Sequence, residues 1–320
     1  MRVLYPPTEP YAARHLVLGD GQRLYVEECG RVDGCPVVFL HGGPGSGCQP
    51  DHRRYFDPDH YRIVLVDQRG SGRSTPVGGI AQNNTRNLIE DLETIRTGLR
   101  INRWLLFGGS WGATLALVYA QTHPQRVMGL VLRGTFLARQ RDLDWFFGPN
   151  GVARLLPDAW RDFCDQVPKA ARTGLPMAYH RLVRSRDAAL ASAAALAWSA
   201  WEERVLTWQR PFVPAVSTAP VVAAQVLAKV RIATHYARHR YFLQDNEIIE
   251  HAERLPTVPT TIVHGRLDLV CPLEGAWTLH QALPGSRLLL VEDAGHLISD
   301  PAMIDALVGE TDRLRACRVC

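Results

Sequence analysis

The run Gly108-Gly109-Ser110-Trp111-Gly112 joins an apolar stretch, Trp104-Leu105-Leu106-Phe107, to a helix-like stretch from Ala113 to Ala120. A G-x-S-x-G pattern between a strand and a helix constrains the fold more than any other feature of the chain. Its glycines let strand and helix pack closely around a sharp turn. The turn lifts the serine hydroxyl above a sheet, at a helix N-terminus where negative charge is favoured. Ser110 is therefore a candidate nucleophile. Such a serine needs a base, and the base needs an orienting carboxylate.

The rest of the chain supplies a sheet for this turn. Residues 24–28, 36–40, 62–66, 104–107, 127–132, 260–264 and 287–291 read as strands. Several are apolar throughout, as strands covered on both faces are. Leu88, Leu92, Ile95 and Leu99 form one helical apolar stripe. Strand–helix alternation predicts an α/β fold, with a mostly parallel sheet and helices on both faces. The interval 137–250 breaks the rhythm. It has no strand pattern, an alanine-rich helix-prone run at 189–200, and Trp145, Trp160, Trp198, Trp201 and Trp208. It reads as a helical cap inserted over the carboxyl ends of the strands, where open α/β sheets bind ligands. The expected division is a core of residues 1–136 and 251–320 with the cap at 137–250.

On sheets that carry such a serine turn, the acid and then the histidine follow along the chain. Asp268 ends Val263-His264-Gly265-Arg266-Leu267-Asp268, just past one strand, and His296 ends Asp293-Ala294-Gly295-His296, just past the last. Glu274, Glu292 and Asp293 are rival acids. In this reading His296 takes the proton of Ser110 and returns it to a leaving group, while Asp268 holds the imidazole. His41-Gly42-Gly43-Pro44-Gly45 follows the second strand directly. By itself it is a tight turn. Paired with the serine turn it is a candidate oxyanion hole, built from the amides of Gly43 and Trp111.

Composition narrows the setting. In 320 residues no apolar run approaches the ~20 needed to span a bilayer, and the opening residues lack a basic stretch followed by an apolar one. A soluble, cytoplasmic protein is expected. The 36 basic residues outnumber the 32 acidic ones only slightly, and Lys169 and Lys229 are the only lysines. The arginines are scattered, so neither a nucleic-acid partner nor a membrane is expected. Cys29, Cys35, Cys48, Cys164, Cys271, Cys317 and Cys320 show no paired zinc spacing, only a lone Cys317-x-x-Cys320, and reduced thiols are expected. Cys271 is set apart by lying three residues after Asp268, as a candidate wall of the site. His235 and His239 are four apart on a helix-like run, but Tyr236 stands where a zinc peptidase has glutamate, so no metal is assigned.

The glycine-rich turn at 41–45, Asp67-Gln68-Arg69-Gly70-Ser71-Gly72-Arg73-Ser74 and the serine turn together resemble the proline iminopeptidases (prolyl aminopeptidases). The likeness runs from Tyr5-Pro6-Pro7 through Trp198-Ser199-Ala200-Trp201-Glu202 to His264-Gly265-Arg266-Leu267-Asp268-Leu269-Val270-Cys271-Pro272. That family has the α/β-hydrolase fold. The resemblance implies a serine exopeptidase that releases N-terminal proline from short peptides without a cofactor. It also implies that Glu202 grips the substrate's free amine. Phe136, Trp145, Phe146 and Cys271 would wall a proline pocket, though ordinary core packing accounts equally for the aromatics. The chain departs from the family pattern in Arg231-Ile232-Ala233-Thr234-His235-Tyr236-Ala237. Ala233 stands where a second glutamate is expected and Ala237 where an aromatic is expected; Glu203 is a neighbouring substitute. This departure keeps a second enzyme reading open, a broader amidase or esterase acting on small amino-acid derivatives. A non-catalytic binding protein is opposed by the retained Ser110, Asp268 and His296. Dehalogenase or epoxide hydrolase chemistry would need an aspartate at position 110.

Overall fold

A computed structural model describes residues 1–210 and 220–316; Cys317 and Cys320 lie outside the described residues. Eight strands form one sheet: β1 Ala12–Val17, β2 Arg23–Gly30, β3 Cys35–Leu40, β4 Tyr61–Asp67, β5 Trp104–Gly109, β6 Val127–Arg133, β7 Thr260–Gly265 and β8 Arg287–Val291. The helices are α1 Thr85–Gly98, α2 Trp111–Thr122, α3 Gln140–Phe147, α4 Pro157–Asp165, α5 Leu175–Leu182, α6 Ala188–Leu206, α7 Pro220–Arg238, α8 Glu247–Glu250, α9 Leu273–Ala282 and α10 Pro301–Ala316.

The strand order is β1-β2-β4-β3-β5-β6-β7-β8. β1 and β2 pair antiparallel with each other, and β2 antiparallel with β4. From β4 to β8 every pairing is parallel. All seven expected strands are present, longer by one or two residues at most at either end. β1 is an addition. It is an edge strand whose residues are mostly exposed, so it carries no apolar signal.

Side chains alternate across a strand, and here each face has its own core. Val38, Leu40, Val64, Val66, Leu106 and Leu130 pack with α1 and α2. Val37, Phe39, Ile63, Leu65, Leu105 and Phe107 pack with Met303, Leu307 and Leu314 of α10. The stripe expected at 88, 92, 95 and 99 is buried in the first core. Helices α3 to α8 fall between β6 and β7, and Trp198, Trp201 and Tyr236 extend that same core into them. Among the described residues, no helix is long and apolar enough to cross a membrane. Cys29, Cys48, Cys164 and Cys271 are free and buried, whereas Cys35 is disulfide-bonded, against the expectation of reduced thiols throughout.

Because β3, β5, β7 and β8 run in parallel, the loops leaving them open on one edge. The turn at 41–45, Ser110, Asp268 and His296 all leave these four strands by that edge.

Candidate active site

Ser110 adopts φ 57°, ψ −123° between β5 and α2, a strained conformation for a residue with a side chain. Its amide donates to the Arg133 carbonyl at 2.9 Å, which anchors the turn to β6. The flanking glycines are dictated by the backbone. A Cβ on Gly112 would stand 2.0 Å from the Leu40 carbonyl oxygen, and one on Gly108 would stand 2.2 Å from the Gly112 carbonyl oxygen.

His296 Nδ1 lies 2.6 Å from Asp268 Oδ2. Asp268 Oδ1 accepts from the amides of Val270 and Cys271, each at 2.9 Å. Burial pushes the Asp268 carboxyl up, but the charge and hydrogen bond of His296, then His264 and the Cys271 amide, outweigh it and hold its pKa below the usual range. Gly134 makes room for this pair; a Cβ there would approach His296 Cε1 to 3.0 Å.

Two further residues, unremarkable in the sequence, support the pair. Arg133, buried at the end of β6, donates to the His296 carbonyl at 2.8 Å. His264 accepts from the Thr135 amide at Nδ1 (3.2 Å) and faces the Cys271 carbonyl at Nε2 (2.8 Å). Burial lowers its pKa, which suits a neutral ring that donates to that carbonyl.

The turn at 41–45 and the serine turn are laced together through Gln68. Its side chain donates to the His41 carbonyl at 2.9 Å and accepts from the Trp111 indole at 2.9 Å, while its amide donates to His41 Nε2 at 3.0 Å. Asp67 receives the Cys48 amide at 2.7 Å and Arg73 Nε at 2.8 Å. Arg69 makes a two-pronged pair with Asp91, at 2.6 and 2.7 Å. The stretch Asp67–Ser74 is thus a brace under the site. Gly43, at φ 114°, faces the cavity; Trp111 is the first residue of α2, where helix amides lack helical partners.

A cavity of about 640 Å³ brings together Ser110, His296, Gly43, Phe136, Phe146, Cys271 and Glu202. Cys271 lines the cavity beside Ser110, and burial, then the Asp268 charge, push its thiol pKa well up. Trp145 departs from its expected place. It is not part of the lining, and its indole donates to the Leu269 carbonyl at 2.8 Å, fastening α3 to the Asp268 loop. The sequence reading missed Lys229, Phe147, Trp198 and Tyr241, all of which line the cavity. Ala233 lines it as well, and Ala237 is buried. His235 is bound up in packing: its Nε2 lies 2.9 Å from the Asn83 carbonyl and its ring contacts that of His239, which stacks on Phe242.

A sheet of this order, with a strained serine at the end of β5 and a histidine–aspartate pair beyond β7 and β8, defines a class of hydrolases. Residues 36–302 match the family model described as alpha/beta hydrolase fold. A proline iminopeptidase of Xylella fastidiosa (strain 9a5c) is 47% identical over 98% of this chain and 99% of its own. One from Arabidopsis thaliana is 45% identical over 98% of this chain and 83% of its own. Among solved structures, the esterase RhEst1 from Rhodococcus sp. ECU1013 superposes with a TM-score of 0.59 at 21% identity, covering 95% of this chain and 98% of that one. The chain belongs to the α/β-hydrolase family and, within it, to the proline iminopeptidases.

Proposed function

We propose that the chain releases N-terminal proline from short peptides through an acyl-enzyme on Ser110. The observation that carries the reading is the 2.6 Å His296–Asp268 pair opening on the cavity that also holds Ser110, Gly43 and Glu202. His296 takes the Ser110 proton as the oxygen attacks the prolyl carbonyl. The oxyanion forms against the amides of Gly43 and Trp111. The C–N bond breaks, and His296 passes its proton to the leaving amine. Water then attacks the prolyl ester and gives its proton to His296; as the Oγ–C bond breaks, His296 returns that proton to Oγ, which frees proline and restores Ser110. Phe136, Phe146 and Cys271 form the apolar wall beside the ring. Glu202 takes the free amine, since a cation in a confined site needs a partner. Residues 137–250 act as the cap over a core of 1–136 and 251–320, and they block the amine end so that internal peptide bonds are excluded.

The test is kcat/KM on L-prolyl-p-nitroanilide against its N-acetyl form and L-alanyl-p-nitroanilide. Strong preference for the free prolyl substrate is the expected result. Equal turnover of all three would move the function to a broader amidase or esterase. Ser110→Ala is expected to lower kcat by roughly 10³-fold or more. A smaller loss, or a serine that a fluorophosphonate fails to label, would refute the nucleophile.

A further inference from the structure

The carboxylate assigned to the substrate's amine already holds a cation. Glu202 Oε2 accepts from Lys229 Nζ at 2.9 Å, and Glu202 Oε1 accepts from the Trp198 indole at 2.8 Å. The two charged side chains keep 23% and 34% of their exposure, and both line the cavity that holds Ser110 and His296. They project from α6 and α7, and Ala233, one turn beyond Lys229, lines the same cavity. Other charges in the lining are committed elsewhere or more exposed. Asp142 pairs with Arg139, Arg210 pairs with Asp300, and Glu203 is exposed. The attraction of Glu202, the largest influence, lifts the lysine's pKa above its usual value, so the lysine is an ammonium at neutral pH. The lysine backbone is also fixed. α7 lies so close to the glycine-rich turn that a Cβ on Gly45 would stand 2.9 Å from the Lys229 carbonyl oxygen.

We propose that Lys229 is a specificity-determining residue: a resident ammonium on Glu202 that a substrate's free α-ammonium must displace or share. The inference rests on the reading of Glu202 as the amine anchor. Two cations on one carboxylate repel each other, and Trp198 already takes part of its accepting capacity. The amine end of the cavity is therefore close to neutral. The resident ammonium thereby weakens the hold of Glu202 on a free amine and raises KM for the prolyl substrate above what Glu202 alone would give. Lys229 touches no reacting atom in this scheme, so it acts on KM and leaves kcat alone.

The experiment compares kcat and KM for L-prolyl-p-nitroanilide and the uncharged ester p-nitrophenyl acetate in wild type, Lys229→Met and Lys229→Arg. Lys229→Met keeps the stem and the helix propensity and is expected to lower KM for the prolyl substrate about tenfold, the scale of one charge-assisted hydrogen bond. The ester's KM is expected to stay within about twofold. Lys229→Arg keeps the cation and is expected to keep the wild-type ratio. An unchanged or higher prolyl KM in Lys229→Met overturns the proposal, as does Lys229→Arg behaving like Lys229→Met. If thermal melting shows the Met variant unfolded, Lys229→Gln takes its place with the same expectations. If the wild type turns over no prolyl substrate, the peptidase reading fails and calorimetry decides the inference separately. Tighter binding of L-prolinamide to Lys229→Met than to wild type sustains it; equal or weaker binding overturns it.

Discussion

The glycines around Ser110 meet backbone atoms, which cannot swing aside as a side chain can. A Cβ at 112 would sit 2.0 Å from the Leu40 carbonyl oxygen, so Gly112→Ala is expected to destabilise the protein by about 3 kcal/mol. Gly98 ends α1 with nothing within 4 Å, and Gly98→Ala is expected to stabilise by about 0.5 kcal/mol. Urea unfolding of both variants checks the contrast, and similar values would refute the steric account. This is why the serine turn was legible in the sequence: its glycines answer to local geometry. Asp268 and His296 were legible by position, each just past an apolar strand. The Lys229–Glu202 pair was not, because it joins two helices across 27 residues and no local pattern announces it. Arg133 and His264 are ordinary strand residues until the ends of β6 and β7 bring them under His296 and Asp268. Trp145 was left open between cavity wall and core packing, and its indole donates to the Leu269 carbonyl.

Elements buried on both faces announce themselves, which is why β3 to β7 could be read; β8, half-buried at one edge, still carries an apolar run, and the exposed edge strand β1 carries none. The same holds for α1, whose apolar stripe fixes which side meets the sheet. Its polar side carries a network that no periodicity reveals. Glu93 accepts from Arg96 Nε at 2.6 Å and from the Tyr119 hydroxyl of α2, while Arg96 holds the Ile101 carbonyl at 2.6 Å ahead of β5. The Arg96 hydrogen bonds, ahead of opposing burial, lower the Glu93 pKa to about 2. A depressed carboxylate contributes stability above its unfolded pKa, near about 4.3, and loses that contribution as pH falls through about 2. Glu93→Gln is therefore expected to cost about 1–2 kcal/mol at pH 7. The gap in melting temperature from wild type should narrow as pH is lowered from 5 towards 2. A gap independent of pH would mean that Glu93 acts by shape rather than charge.

Over the whole molecule, parallel strands gather the serine, the acid and the histidine on one edge, and each arrives from a different stretch of chain. The helices between β6 and β7 share a core with that sheet, so the cavity they close is built into the fold. An imidazolium cannot accept the Ser110 proton, so kcat/KM falls as His296 becomes charged. Asp268 keeps its charge further into acid than an ordinary carboxyl does. Burial alone would raise its pKa, but His296, His264 and the Cys271 amide hold it below the usual carboxylate value. Its contribution to stability is present above its unfolded pKa of about 4 and is lost only as pH falls through the lower folded value. With an uncharged ester as substrate, log kcat/KM is expected to fall towards acid with a slope of about one. Protein held at about pH 5 is expected to recover full activity on return to neutral pH. A rate that stayed flat towards pH 4 would remove His296 as the base.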